Sequence, residues 1–421
     1  MKKAILIGAG FSYDLGFPLG KGLTKDLFSF FNKSKMDKFV SMWKKANPYG
    51  NDRPINESAF DTFLQLYSNF IETDMNNYED FIKLLQKNER ERGNNQDYRD
   101  TYNYILSKFN SILNEFFWIY QKENYNILEK NLDMYRWLLK EYSQNELWVL
   151  SLNHDVNIEL MCIENKIPFT FGTKEEIQFP INNIELSNKI SLLMHDRVKM
   201  KLNDMNFYKN EKGINLLKIH GGLNEFSFDD DKRILFIDME KCETPIDYLE
   251  KIDTVMHKMQ YFINGNPIRD EYEIVISDNN KEMQFLTPSI LSGGYKYSIT
   301  LNPKEGEEKI QLFSEILNEV DELTIFGYGF GDRHINDRIY NAMLINNKLK
   351  IIIVDPYIKS IPENLKPFEY NMRIRLAKCT TAQWIGYLKD GVWDSEISER
   401  LKKMESIRLQ VDRRLREKYF K

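Results

Sequence analysis

Apolar positions along the chain fall into two rhythms. Ala4-Ile5-Leu6-Ile7 is a short unbroken apolar run, as expected of a parallel strand covered on both faces. From Leu23 to about Asn145 the rhythm becomes helical. Tyr78, Phe81, Ile82 and Leu85 recur at i, i+3, i+4, i+7, and Phe109, Ile112, Leu113, Phe116, Phe117 and Tyr120 repeat the pattern over three turns. Asn47 to Pro54 and Arg92 to Asp97 are turn-rich breaks within it. Short strand-like runs then return at Leu147–Leu152, Ile214–Ile219, Leu323–Phe326, Lys350–Val354 and Arg373–Ala377, with helical stretches between several of them. Strands alternating with helices predict an α/β fold built on a parallel sheet, with a large helical insertion after the first strand and a C-terminal helix. The expected division is 1–20 with 146–380 as the α/β domain, 21–145 as the helical insertion, 226–303 as an irregular, partly β insertion, and 381–421 as a helical tail.

Each predicted strand ends in a small or polar cluster. Ile7 runs into Gly8-Ala9-Gly10-Phe11-Ser12, Leu152 into Asn153-His154-Asp155, Ile219 into His220-Gly221-Gly222, Phe326 into Gly327-Tyr328-Gly329, and Val354 into Asp355-Pro356. Ligands of open parallel sheets bind beyond the carboxyl ends of the strands, so these clusters have a shared place to meet. Gly8-Ala9-Gly10 after a buried strand has the character of a phosphate turn, in which glycine lets the backbone approach a pyrophosphate. The third glycine of the hydride-transfer fingerprint is replaced by Tyr13, and no second strand supplies the acidic residue about 20 positions on, which argues against an ordinary dehydrogenase. A second turn, Gly16-Phe17-Pro18, lies close enough to fold over a ligand.

Taken together and in order, these motifs resemble the sirtuin superfamily. Gly8-Ala9-Gly10-Phe11-Ser12 with Gly16-Phe17-Pro18, Ser151-Leu152-Asn153-His154-Asp155, and Lys218-Ile219-His220-Gly221 look like its glycine turn, its Thr-Gln-Asn-x-Asp segment and its His-Gly pair. Gly327-Tyr328-Gly329-Phe330-Gly331-Asp332 looks like the glycine-serine turn of a later strand. The resemblance implies a Rossmann-like, sirtuin-like sheet and NAD+ as substrate. It implies Asn153 and His220 as catalytic residues, His220 acting on the ribose hydroxyls or the attacking water. Gly8, Ala9, Gly10, Phe11, Ser12, Phe17, Pro18, Asp155, Gly221, Gly327, Tyr328, Gly329, Asp332 and Asp355 would contact the dinucleotide. In that scheme Ser12 and the glycine turn take the pyrophosphate, Asp155 the nicotinamide amide or the steadying of its own loop, and Gly327, Asp332 and Asp355 the adenosine half. The paired cysteines of the deacylating members' zinc module are missing, and Pro18 is followed by Leu19-Gly20-Lys21 where those members carry Asp-Phe-Arg. The helical insertion and the Gly-Tyr-x-x-x-Asp turn are similar to bacterial sirtuin-like effectors of anti-phage defence, which hydrolyse NAD+. One type of these works with a HerA-like hexameric ATPase, so a homo-oligomer or such an ATPase is the expected gate.

The side chains suit that chemistry on their own terms. The nicotinamide leaving group is already cationic and needs no general acid, so the site must orient it, stabilise an oxocarbenium-like ribose and deliver water. An amide can hold a water or a ribose hydroxyl, and an imidazole with an unperturbed pKa of about 6.5 can accept a proton near neutrality. Each motif also has a plain structural reading: Asn-x-Asp as a turn or helix cap, His-Gly as a hydrogen-bonded structural histidine. His154 would point to the opposite face of a continuing strand and reads as structural. Asp332-Arg333-His334 reads as a helix start more than a metal site, and His195 and His257 as surface residues in helical, charged surroundings.

Net charge is −5, which gives no general attraction for nucleic acid or an anionic membrane, and no run approaches the length of a membrane span. Three cysteines, Cys162, Cys242 and Cys379, form no C-x-x-C pair, so no zinc is expected and a reducing cytoplasm fits. Arg400 to Lys418 carries eight Lys/Arg against three Asp/Glu, with Leu401, Met404, Ile407, Val411, Leu415 and Tyr419 at helical spacing. That tail reads as a docked amphipathic helix, a self-association helix, or a patch for a partner or nucleic acid. Competing functions are a regulatory subunit that binds NAD+ or ADP-ribose without turnover, a DNA-acting nuclease subunit beside an ATPase, and a deacylase.

Overall fold

A computed structural model describes residues 1–46, 55–73, 77–91, 95–142, 144–268, 273–290 and 306–419. The sequence-predicted turns at 47–54 and 92–94, and the end of the predicted 226–303 insertion, lie outside these residues. The chain opens with β1 (Lys3–Ile7), then passes through α1 (Ala9–Tyr13), α2 (Gly20–Phe30), α3 (Lys33–Ala46), α4 (Glu57–Glu72), α5 (Tyr78–Glu91), α6 (Gln96–Asn131) and α7 (Asp133–Tyr142). It continues as β2 (Glu146–Ser151), α8 (Asn157–Glu164), β3 (Phe169–Thr170), β4 (Glu175–Pro180), β5 (Lys189–Asp196), β6 (Gly213–Lys218), β7 (Gly221–Phe228) and β8 (Arg233–Ile237). After α9 (Pro245–Asp253) come β9 (Tyr261–Ile263), β10 (Asn266–Ile268), β11 (Ile274–Ser277) and β12 (Met283–Ile290). The chain ends with α10 (Glu307–Glu319), β13 (Glu322–Phe326), α11 (Arg333–Ile345), β14 (Lys350–Val354), β15 (Ile374–Ala377), α12 (Thr381–Asp390) and α13 (Ser395–Tyr419).

The central sheet has seven strands in the order β15-β14-β13-β1-β2-β6-β3, every neighbouring pair parallel. This is the Rossmann-like α/β sheet that the apolar runs imply. All six residues of β2 and of β6 are buried, which explains why neither strand alternates in polarity. Register decides what happens at the edge. Ile7 lies opposite Phe326 on one side and Ser151 on the other, and Ser151 lies opposite Lys218. Four adjacent strands therefore end flush, and the segments after them begin side by side.

The helical insertion has its own aromatic core. Phe28, Phe63, Phe70, Phe81 and Phe109 meet in tilted and edge-on pairs 5.1 to 6.3 Å apart. Asn95 starts α6 by accepting from the Tyr98 amide, and the helix runs for 36 residues back to the sheet. Gln121 of α6 is fully buried and joins it to the loop after β2: its Oε1 accepts from Val156 N at 3.0 Å, and its Nε2 donates to Asn157 Oδ1 at 3.1 Å.

A second, antiparallel sheet of six strands has the order β11-β12-β7-β8-β5-β4. It is wider than the predicted insertion at 226–303, because Glu175–Pro180, Lys189–Asp196 and Gly221–Phe228 belong to it. His195 lies on β5 and is buried, not on a helical surface; Ile190 and Leu192 are buried along the same strand, on the face opposite to His195. His257 does lie in a helical turn, Thr254–Lys258, between Glu115 and Asp253 at 3.0 and 3.2 Å. Among the described residues no helix is long and apolar enough to cross a membrane.

Candidate active site

The segments after β1, β2, β6 and β13 enclose a cleft of about 740 Å³. Gly8, Ala9, Ser12, Phe17, Pro18, Asn153, Asp155, His220, Gly327, Tyr328, Gly329 and Asp332 line it. Four stretches far apart in the chain converge because their strands are neighbours in register.

Asn153, only 9% exposed, is fixed by its surroundings. Its Nδ2 donates to Gly8 O at 3.0 Å and to Ser12 Oγ at 3.2 Å. A carbonyl can only accept, so the NH2 end of the amide must face Gly8. Both amide protons are thereby committed, and Oδ1 has no partner among the described residues. What Asn153 offers the cleft is an acceptor. Ser12 Oγ donates onward to Asp155 Oδ2 at 2.8 Å, and Asp155 Oδ1 accepts from Asn157 N at 3.1 Å. Burial pushes the Asp155 carboxyl up, while the Lys218 charge and the Ser12 hydroxyl pull it down. Ser12 thus links the two loops, its proton directed to Asp155 and not to the open cleft.

Beneath this loop lies a buried ion pair. Lys218 Nζ sits 3.1 Å from Glu159 Oε1, each side chain 1% exposed, and also donates to Asp155 O. Asn224 Nδ2 adds a bond to the same Glu159 oxygen at 3.1 Å. Burial pushes the Glu159 carboxyl up and the Lys218 ammonium opposes it. The pair ties β6, α8 and β7 together directly under Asn153 and Asp155.

His220 follows β6 and faces Asp332 across the cleft, Nε2 to Oδ2 3.1 Å. The other oxygen of Asp332 caps α11, accepting from His334 N at 2.9 Å and more weakly from Ile335 N. One carboxylate therefore starts a helix and sets a charge against the imidazole. Tyr328 steadies that turn: its hydroxyl lies 3.0 Å from Asp332 O and 2.9 Å from Asn336 Oδ1. Burial pushes the Tyr328 phenol up, so it stays a neutral donor.

Four residues expected to touch a dinucleotide do not line the cleft. Phe11 is fully buried, edge-on to Tyr135 and Phe326 in the core. Gly10 is there for packing: a Cβ on it would fall 2.6 Å from Gly327 Cα, and Gly10 N donates to Gly327 O at 3.0 Å. Gly221 has φ of +70°, and a Cβ there would meet Ser289 O at 1.6 Å. Asp355 follows β14, two strands away from β1, and its carboxylate is turned to the amide of Tyr357. Asp332, expected near an adenosine, does line the cleft and faces His220.

No family model matches the chain, and no curated protein matches it. Among solved structures, the chain is similar to a crystal structure of Sir2 in complex with the inhibitor EX-527, 2'-O-acetyl-ADP-ribose and deacetylated p53 peptide. The two are 11% identical, 93% of this chain and 94% of that one are covered, and the TM-score is 0.29. At that score the likeness carries no argument about function.

The cleft also holds residues that the sequence does not mark for it. His154 lines it, because β2 ends at Ser151 and strand alternation no longer governs position 154. Its ring stacks on Phe117 at 5.3 Å and lies 6.4 Å from the His220 ring. Tyr78, Glu79, Lys83, Phe117 and Tyr120 add a whole wall from the helical insertion. Helical spacing marks Tyr78, Phe117 and Tyr120 as inward-facing; nothing in it tells the sheet-facing side from the insertion's own core. Among the described residues no group of three or more His, Cys, Asp or Glu is placed to hold a metal ion. The basic tail is α13, docked on the domain: Arg400 pairs with Asp133, Arg416 with Asp26, and Lys418 with Glu123.

Proposed function

We propose that this chain cleaves the nicotinamide–ribose bond of NAD+ with water, releasing nicotinamide and ADP-ribose. The observation that supports this best is the Asn153 amide, whose protons are held by Gly8 O and Ser12 Oγ so that Oδ1 is left to accept. An acceptor of this kind orients a water or a ribose hydroxyl without competing for its lone pair. His220 stands on the neighbouring strand end and takes the proton as the new C–O bond forms; the C–N bond breaks with its electron pair going to neutral nicotinamide. Asp332, beside the imidazole, stabilises the cation that His220 becomes. Tyr78, Phe117 and Tyr120 give the cleft an aromatic wall suited to a cationic ring before it leaves.

In this reading the protein is a toxic effector of anti-phage defence, held in check by self-assembly or by a HerA-like hexameric ATPase. Exposed Leu344, Ile345, Tyr370 and Met372, which Arg373 brings close by bonding Met343 O and Asn346 O, support an assembly surface. The test is nicotinamide release from NAD+ by the purified chain over a range of protein concentrations, alone and with the ATPase. Asn153→Ala and His220→Ala should each abolish release while retaining the fold. Saturable NAD+ binding with no product in any assembled state would replace this reading with that of a regulatory binding subunit.

A further inference from the structure

The segment that carries Ser12, Phe17 and Pro18 into the cleft is poorly able to hold its own shape. Helix α1 has only five residues, far below the length at which a helix persists unaided. It is followed by a tight reversal in which Leu15 N and Phe17 N donate to Ser12 O, Gly16 N donates to Tyr13 O, and Gly16 adopts φ of +103°. The stability of this segment must come from what is packed behind it.

Helix α6 backs it through Ile127 against Gly16 and Tyr120 against Phe17, and three further elements hold it by polar contacts or packing. Tyr135 of α7 donates to Phe11 O at 2.6 Å. Asp14, 2% exposed, accepts from Ala382 N at the start of α12 at 2.9 Å. The third element is α13, whose Arg408 lays its guanidinium over the Tyr13 ring, 3.5 Å from the centroid, and donates to Tyr13 O. One turn earlier, Met404 backs Gly16. A cation at a carbonyl that ends a short helix is favourably placed, and its stacking on the ring adds to this. Burial pushes the Asp14 carboxyl up, and the nearby Arg408 charge is among the influences that oppose it.

We infer that Arg408 is a positioning residue for the cleft, holding from behind the turn that presents Ser12 and the Phe17–Pro18 wall to the dinucleotide. This rests on the reading that the cleft takes NAD+, and it makes the C-terminal helix part of the active machinery although it touches no substrate. A partner that lifts α13 would loosen the cleft at its first loop.

The test compares Arg408→Met, which keeps the apolar stem, with Arg408→Lys and with Ile397→Ala. Ile397 lies on α13 but packs against Gly386 of α12, so its truncation weakens the same helix away from the turn. In Arg408→Met, amide hydrogen exchange at Leu15, Gly16 and Phe17 should rise about tenfold, and the KM for NAD+ about tenfold with kcat within about threefold. Arg408→Lys, which keeps the charge but not the planar stack, should fall between, and Ile397→Ala should leave all three amides as in the wild type. Unchanged exchange in Arg408→Met, or an equal rise in Ile397→Ala, would overturn the inference. The exchange comparison requires no ligand, so it decides the brace even if no NAD+ is consumed; failure of turnover by the wild type counts against the proposed reaction alone.

Discussion

Replacing Asn153 by aspartate changes one NH2 into an oxygen with almost no change of shape, which makes it a sharp probe of the amide's orientation. In the wild type that NH2 meets Gly8 O at 3.0 Å and Ser12 Oγ at 3.2 Å in a nearly closed site. An ionised carboxylate there would set an oxygen against a carbonyl that can only accept. Two hydrogen bonds would be lost, at about 0.5–1.5 kcal/mol net each, and Gly8 O would be left without this donor. The Ser12 hydroxyl could turn to donate to the new group, but would then release Asp155. A total loss of about 2–4 kcal/mol follows at neutral pH. Burial and the facing carbonyl raise the pKa of the introduced carboxyl above its unfolded value. The sign is therefore fixed: the penalty is full above the raised folded-state pKa and shrinks as the pH falls, because a protonated carboxyl can donate to Gly8 O. Thermal unfolding of Asn153→Asp against the wild type between about pH 8 and pH 5 should show the stability gap closing toward acid. Nicotinamide release, taken relative to the wild type at the same pH so that protonation of His220 cancels, should recover in parallel if NAD+ is the substrate. A gap that is absent at about pH 8, or that widens on acidification, would refute the assigned orientation of the amide.

Three further outcomes are expected. Asp26 faces Asp412 and Arg416 of α13 and the Tyr120 phenol, and burial, followed by Asp412, raises its pKa to about 7. A raised acid stabilises the fold below its unfolded pKa and loses that contribution as pH rises through about 7, so Asp26→Asn should raise stability by about 1–3 kcal/mol near pH 8 and little near pH 5, read from Tm. Lys218→Met strands the buried Glu159 and should destabilise by about 3–5 kcal/mol in urea unfolding, whereas Lys218→Met with Glu159→Gln, which keeps an acceptor for Asn224, should recover most of the loss. Gly10→Ala drives a methyl against the Gly327 backbone and should lower stability by about 1–3 kcal/mol, while Gly329→Ala, open on all sides, should change it by less than about 0.5 kcal/mol; equal losses in the two would contradict the close approach of the two loops.

The parts of the site that are readable in the sequence are those fixed by single strands. Each apolar run ending in a polar or glycine cluster is a local signal, so Asn153, His220, Ser12 and Tyr328 can be named without knowing that their strands are neighbours. Strand order is not local. Asp355, like Asp332, follows an apolar run, yet β14 lies one place beyond β13 and Asp355 does not line the cleft. Glycines are ambiguous for a related reason: Gly10 reads as room for a phosphate, but it is room for Gly327. Alternation extended past the end of a strand misplaces His154. The charged flank Asp196-Arg197 hides His195, whose burial also breaks the period-two pattern of Ile190 and Leu192 and so is not readable from alternation. The wall of Tyr78, Phe117 and Tyr120 and the Arg408 brace depend on contacts between elements far apart in the chain, for which periodicity gives a face but no partner.

The position of β1 has a consequence for how this molecule comes into being. Strand β1 is flanked in the sheet by β2, about 140 residues later in the chain, and by β13, which ends at Phe326. Until that last neighbour has been synthesised, Gly10 has no Gly327 to lean on and His220 no Asp332 to face. A chain that stops short of β13 therefore cannot harbour a finished cleft, because one side of β1 has no partner strand until residues 322–326 follow it.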